Sequence, residues 1–152
     1  MLRFLADANV GRVARWLRAY GYDAEYAPEL DDGALVTRAL GEGRVLLTRD
    51  AELMRRRPVV GGAVRTVLLE SDRVAEQLGQ VVRELALEGE RALTRCLECN
   101  VELEPCLKSE VLRRLPPHVR ATQSDFSECP RCGRVYWPGS HWRRMRERLA
   151  AL

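Results

Sequence analysis

Two Cys-x-x-Cys pairs stand in the second half of the chain: Cys96-Leu97-Glu98-Cys99 and Cys129-Pro130-Arg131-Cys132. Each is a tight turn that aims two sulfurs at one point. Two such knuckles form the tetrathiolate that Zn²⁺ takes in closed structural sites. Gly133 follows the second knuckle, and glycine there lets the turn finish with φ > 0. Four thiolates leave zinc no open position, so this centre would hold structure and any catalysis must lie elsewhere. The competing reading is two disulfides or a redox dithiol. Met1-Leu2-Arg3-Phe4 leads straight into a strand-like run with no secretory signal. A reducing cytoplasm is therefore expected, where thiolates bind metal. Cys106 lies outside both pairs and reads as a buried or free thiol.

The second chemistry is carboxylate. Asp7, Asp50, and Glu70 or Asp72 follow apolar strand-like runs, and Asp31 and Asp32 open a helical stretch. If the strands are parallel, all these acids reach the carboxyl edge of one sheet, where ligands of open α/β sheets bind. Converging carboxylates repel one another and call for a hard cation such as Mg²⁺ or Mn²⁺. Such ions activate water and stabilise the leaving oxygen of a phosphodiester. Each acid alone has a plainer use, because Asp at a helix start caps N–H groups. Asn9 is available for that capping after Asp7, and Ser71-Asp72 is an ordinary helix start. The set on one edge is what points to chemistry. A phosphoacceptor site is excluded by the single acid after the first strand and by the absence of lysine before Lys108. No glycine-rich loop follows the first strand, which argues against nucleotide-dependent chemistry.

The elements that must position these acids are legible. Residues 2–6, 45–47 and 64–69 read as apolar strands, and residues 22–26 fit a further strand. Residues 9–20 read as a helix with Val10, Val13, Ala14, Leu17 and Tyr20 on one face, ended by Gly21. A helix from Asp31-Asp32 to about Leu40 is closed by Gly41 and Gly43. A short one spans 51–56, and Pro58, Gly61 and Gly62 mark a loop. A long helix over 72–87 is capped by Ser71. Alternating strand and helix predict an α/β fold, a parallel sheet flanked by helices. Residues 1–90 form this domain, with a boundary at Gly89-Glu90. Residues 91–152 form a small zinc-ribbon module: a helix near 109–115 stopped by Pro116-Pro117, a strand over 134–137, and a basic helix from Ser140.

The net charge of +3 conceals an asymmetry. Residues 1–90 carry 13 arginines against 15 acids, whereas residues 91–152 carry 12 basic side chains against 7 acids. After residue 130 six arginines face only Glu147. The acidic half suits cations and the basic half a polyanion. Tyr136, Trp137, His141 and Trp142 alternate with Arg134, Arg143 and Arg144. Aromatic faces stack on unpaired bases while arginines hold phosphates, so these residues are candidates for RNA contact. The competing use for Trp137 and Trp142 is to fill the core of a small module. No apolar run is long enough for a membrane span.

Together these stretches resemble the Mut-seven C-terminal RNase domain family. The resemblance rests on Phe4-Leu5-Ala6-Asp7 leading into Arg15-Trp16-Leu17-Arg18; on Gly21-Tyr22-Asp23; on Leu46-Leu47-Thr48-Arg49-Asp50; on both knuckles; and on Val135-Tyr136-Trp137-Pro138-Gly139-Ser140-His141-Trp142. It covers nearly the whole chain, and the last string is the most specific. It implies a PIN-like α/β sandwich, a divalent-metal site and cleavage of RNA. By position, Asp7 and Asp50 match the acids after the first and third strands, and Asp31 or Asp32 matches the acid of the second helix. Glu70 or Asp72 takes the place of a fourth. A non-catalytic RNA-binding or ribosome-associated module with a vestigial acidic site is the alternative. A toxin-like PIN protein is disfavoured, because the zinc module already supplies an RNA-binding surface.

Overall fold

The computed structural model describes residues 1–152. Four strands, β1 (Arg3–Ala6), β2 (Asp23–Tyr26), β3 (Val45–Thr48) and β4 (Thr66–Leu68), form one parallel sheet in the order β2-β1-β3-β4. Parallel neighbours require crossover helices, and α1 (Gly11–Ala19) and α2 (Asp32–Glu42) supply the first two. A short helix α3 (Arg57–Val60) precedes β4, and α4 (Val74–Leu85) follows it. The strand residues alternate between two cores. Phe4, Ala6, Val45 and Leu47 meet α1 and α4 through Val13, Leu17, Leu78 and Val81. Leu5 and Leu46 point the other way, against Leu35, Val36 and Ala39 of α2. Burial on both faces explains why β1 and β3 read as apolar runs.

The second half builds a separate antiparallel sheet, β5 (Glu104–Cys106), β6 (Phe126–Glu128) and β7 (Val135–Tyr136), in that order. Helices α5 (Lys108–Val111) and α6 (Pro117–Thr122) lie between β5 and β6, and α7 (Ser140–Ala150) closes the chain. Val111, Leu115, Val119 and Phe126 make a small core of their own. The larger core nevertheless extends across: Leu97, Met145 and Leu149 are buried in the same cluster as Phe4 and Leu17. Gly21 sits where the chain beyond residue 90 crosses the end of α1. Its φ of +99° lies in the left-handed region, and a Cβ there would strike the backbone of Arg91. No helix is long and apolar enough to cross a membrane.

Several boundaries differ from the sequence reading. Gly41 lies inside α2, and Gly43 alone closes it, with φ +65°. Pro58 was expected in a loop but occupies the first turn of α3, where its missing N–H costs nothing. Pro117 likewise begins α6. Ser71 does not cap α4: Arg73 holds the cap position, and the Ser71 hydroxyl accepts from the Arg73 N–H at 3.0 Å.

Candidate functional site

The strand order reverses at β1, whose successor β2 lies on one side while β3 lies on the other. The loops after β1 and β3 therefore leave the carboxyl edge side by side, at the switch point where such sheets bind ligands. Asp7 directly follows β1, and Asp50 lies just beyond β3. The Asp7 N–H still donates to the Leu47 carbonyl at 3.0 Å, which ties its backbone to β3. Its carboxylate is buried and has two partners. Oδ1 accepts from the Ala8 N–H at 2.6 Å, and Oδ2 accepts from the Thr48 hydroxyl at 2.8 Å. Asp7 thus caps the single turn Ala8–Val10 itself, a task the sequence reading gave to Asn9.

Thr48 joins the two loops. The same fully buried hydroxyl that donates to Asp7 accepts from the Asp50 N–H at 3.0 Å. Asp50 Oδ1 accepts from the Glu52 N–H at 2.9 Å, which sets its χ angle. The sequence reading gave Thr48 no role of its own. Its signal was the Thr-x-Asp spacing, since a threonine hydroxyl commonly accepts from the N–H two residues on.

The two acids of α2 divide in role. Asp31 is the N-cap and accepts from the Ala34 N–H at 2.8 Å. Asp32 turns toward the sheet edge. Burial, then the nearby Asp50 and Asp7 carboxylates, hold it above the ordinary carboxylate range, and Arg56 partly offsets them. Arg56 also flanks Gly33: its Nη1 lies 3.5 Å from where a Gly33 Cβ would stand. Asp7 and Asp50 thus both lie near enough to act on Asp32, with a cation beside it that sequence reasoning missed. Glu70 and Asp72 are exposed on the adjacent loop, where the Glu70 N–H donates to Gln80 Oε1 at 3.1 Å. Neither contributes to the field on Asp32 among its leading causes.

Cys96, Cys99, Cys129 and Cys132 converge, with all four sulfurs within 4.8 Å of one another. Zn–S bonds of about 2.3 Å make a tetrahedron with edges of about 3.8 Å; Cys96 Sγ and Cys132 Sγ are 3.9 Å apart. Within each knuckle the second cysteine's N–H points at the first sulfur, at 3.4 Å for Cys99 and 3.5 Å for Cys132. Gly133 has φ +74°, and Asn100 takes the equivalent position after the first knuckle at φ +63°. Burial pushes the Cys96 thiol up, but hydrogen bonds from Tyr136 and backbone N–H groups outweigh it and bring it to about 7. Cys99, by contrast, is pushed up to about 12 by burial and by its neighbouring sulfurs, so the fit rests on donor set and spacing: these suit Zn²⁺, and the cluster can hold that ion. It is the tight metal-ligand cluster of the molecule; the three carboxylates stand more loosely. Cys106 is half-buried and free.

Of the remaining candidates, Trp137, His141, Trp142 and Arg143 line one depression and Arg144 an adjoining one, while Arg134 lies apart. Tyr136 is turned inward: its Oη lies 3.2 Å from Cys96 Sγ and accepts from the Leu97 N–H at 3.2 Å. It is knuckle structure, not a stacking face. Trp137 packs edge-on against Phe126, with ring centroids 6.3 Å apart. Arg134 faces Glu98 at 3.7 Å. His141, Arg143 and Arg144 are exposed on the first turns of α7, and the Arg146 guanidinium lies 5.5 Å from the Trp142 ring centre.

Fold and sites together describe a chain with two sheets: a parallel one with acids beyond its carboxyl edge, and an antiparallel one in the half that carries the four-cysteine cluster. A family model for the Mut7-C RNAse domain matches residues 2–149, and the chain belongs to that family. Comparison with curated proteins and with solved structures gives no match.

Proposed function

We propose that the protein is a divalent-metal-dependent ribonuclease of PIN-like type, which hydrolyses RNA phosphodiesters at the acidic edge of its sheet. The observation that supports this reading is that Asp7 and Asp50 follow adjacent strands where the strand order reverses, and both raise Asp32. Like charges held this close favour a cation, and carboxylate oxygens suit Mg²⁺ or Mn²⁺. When bound, such an ion polarises the phosphate and lowers the pKa of water. Asp7, Asp32 and Asp50 are its proposed ligands, with Asp31 committed to its helix. Asp72, or Glu70 beside it, is the remaining candidate for a fourth acid. Thr48 fixes Asp7 relative to the Asp50 loop before substrate arrives, which removes a reorganisation cost from the reaction. Arg56 would meet a phosphate oxygen next to Asp32. The cysteine centre keeps Zn²⁺ as a structural ion, and Arg134, Trp137, His141, Trp142, Arg143 and Arg144 are the proposed RNA grip of a cytoplasmic enzyme.

The test is cleavage of labelled single-stranded RNAs with Mn²⁺ or Mg²⁺, beside an Asp7→Asn/Asp50→Asn variant and a reaction without either ion. Cleavage should require both the ion and the two acids. If the variant cuts as fast as the parent, or the folded, zinc-loaded parent cuts nothing, the non-catalytic RNA-binding reading takes its place.

A further inference from the structure

The C-terminal module carries an open cavity of about 440 Å³ between α6, β7 and the first turns of α7. That is within the range of small-ligand pockets, about 300–1,000 Å³. Its wall includes Trp137 and Trp142, and its polar groups include Arg95, His118, His141 and Arg143. A second depression of about 310 Å³ shares His141 and Met145 with it and runs between α7 and α1, past Arg15, Trp16, Arg144 and Arg148. Neither wall contains an acid, in a chain that carries 22 of them. Arg143, Arg144 and Arg148 have no carboxylate partner. Helix α7 begins in the cavity at Gly139 and Ser140, with no side-chain cap and no acid in its first turn. Its free N–H groups add to the positive field.

An aromatic-walled pocket adjoining an acid-free arginine groove has the chemistry of a base and its flanking phosphates. We propose that cavity and groove form a subsite for one unpaired nucleotide of RNA. The base enters the cavity beside Trp142 and Trp137, and the flanking phosphates lie along Arg143, Arg144 and Arg148. The subsite deepens the ribonuclease reading and rests on it for the identity of the polymer. It makes the enzyme selective for substrates with a single-stranded stretch, because a paired base cannot leave its stack without losing its partner.

Binding of fluorescein-labelled octauridine to the zinc-loaded Asp7→Asn chain, followed by anisotropy, separates this subsite from the cutting site. Trp142→Ala should weaken binding between about 5- and 150-fold, and Trp142→Phe should restore most of it. Arg144→Gln should lower the slope of log K against log salt by about 0.7. Zinc content and circular dichroism establish that each variant is folded. Parent-like binding by both Trp142→Ala and Arg144→Gln overturns the subsite, as does an absence of octauridine binding. Equal affinity for a duplex of the same length also overturns it. Uridine monophosphate binding as tightly as the octamer would make a free nucleotide the occupant and overturn RNA. Cleavage by the chain with Asp7 intact is scored separately. A cutting enzyme with a silent cavity defeats only the subsite, and a binding cavity without cutting defeats only the nuclease.

Discussion

At the scale of single residues, the acidic edge depends on one hydroxyl. Thr48 donates to Asp7 and accepts from the Asp50 N–H, both inside the protein. Thr48→Val keeps the shape and strands both partners. The expected cost is about 1–3 kcal/mol of stability, read from chemical denaturation. On the ribonuclease reading, kcat should fall at least about tenfold with KM little changed, and Thr48→Ser should recover both losses. A variant with full kcat would make Thr48 a mere packing residue. Asp32 allows a second, sign-specific prediction. Its folded pKa is raised by burial and by Asp50 and Asp7. The folded state therefore binds its proton more readily than the unfolded state does. The ion-free protein loses stability as pH climbs from the ordinary carboxylate range through the raised value. Asp32→Asn removes that loss. Its Tm should exceed the parent's at pH 7, and the two should converge near pH 3. Saturating Mn²⁺ should reverse the order, stabilising the parent and not the variant. An Asp32→Asn chain that gains no Tm at pH 7 without ions would refute the proposed repulsion.

At the scale of elements, the first knuckle is tied to the main sheet through a polar junction. Arg44, buried just before β3, donates to Asp23 Oδ1 at 2.7 Å and also pairs with Glu42. Asn100, directly after Cys99, donates to Asp23 Oδ1 at 2.7 Å and accepts from the Ala24 N–H at 3.0 Å. Burial pushes Asp23 up, but its bonds to Arg44 and Asn100 outweigh that and hold it below the ordinary carboxylate range. Asp23 thus stabilises the fold above its unfolded pKa, and this contribution is lost as pH falls through the lower, folded value. Arg44→Met leaves the acid without its cation and should cost roughly 3 kcal/mol at pH 7, with a flatter acid limb in the stability profile. A parent-like profile would rule the junction out. No sequence pattern pointed to this junction, because Asp23, Arg44 and Asn100 come from three distant stretches and meet only after folding. The legible parts are those that local rules dictate. The apolar runs of β1 and β3 give their burial on both faces, and the cysteine spacing gives the cluster. Glycine at 43 gives a helix end. Where a local signal had two outlets, the fold chose: Pro58 and Pro117 started helices, and Asp31 took the cap while Asp32 faced the other acids.

At the scale of the whole molecule, the question is whether the cysteine module stands apart from the sheet. Two separate sheets lie on either side of residue 90, but the largest core draws from both sides. Leu97 lies inside the first knuckle, and Met145 and Leu149 lie on α7; all three are buried in the same core as residues of β1 and α1. Arg18 of α1 donates to the Leu97 carbonyl at 2.8 Å, and the Leu93 N–H donates to the Ala19 carbonyl at 2.6 Å. Zinc affinity in a small module is folding energy. With a shared core, losing the ion must also loosen the packing over α1. Cys99→Ser or Cys132→Ser should therefore lower the transition of the entire chain, not only that of residues 91–152. Calorimetry of the zinc-loaded parent should show one cooperative transition, with its van't Hoff and calorimetric enthalpies equal. A chain ending at residue 90 should expose Val13 and Leu17 and unfold or aggregate. Two resolved transitions, or a truncated chain as stable as the parent, would make the module an independent appendage. A single transition would make the zinc ion a determinant of the acidic edge as well. On the ribonuclease reading, removing zinc would then abolish cleavage even with Mn²⁺ in excess.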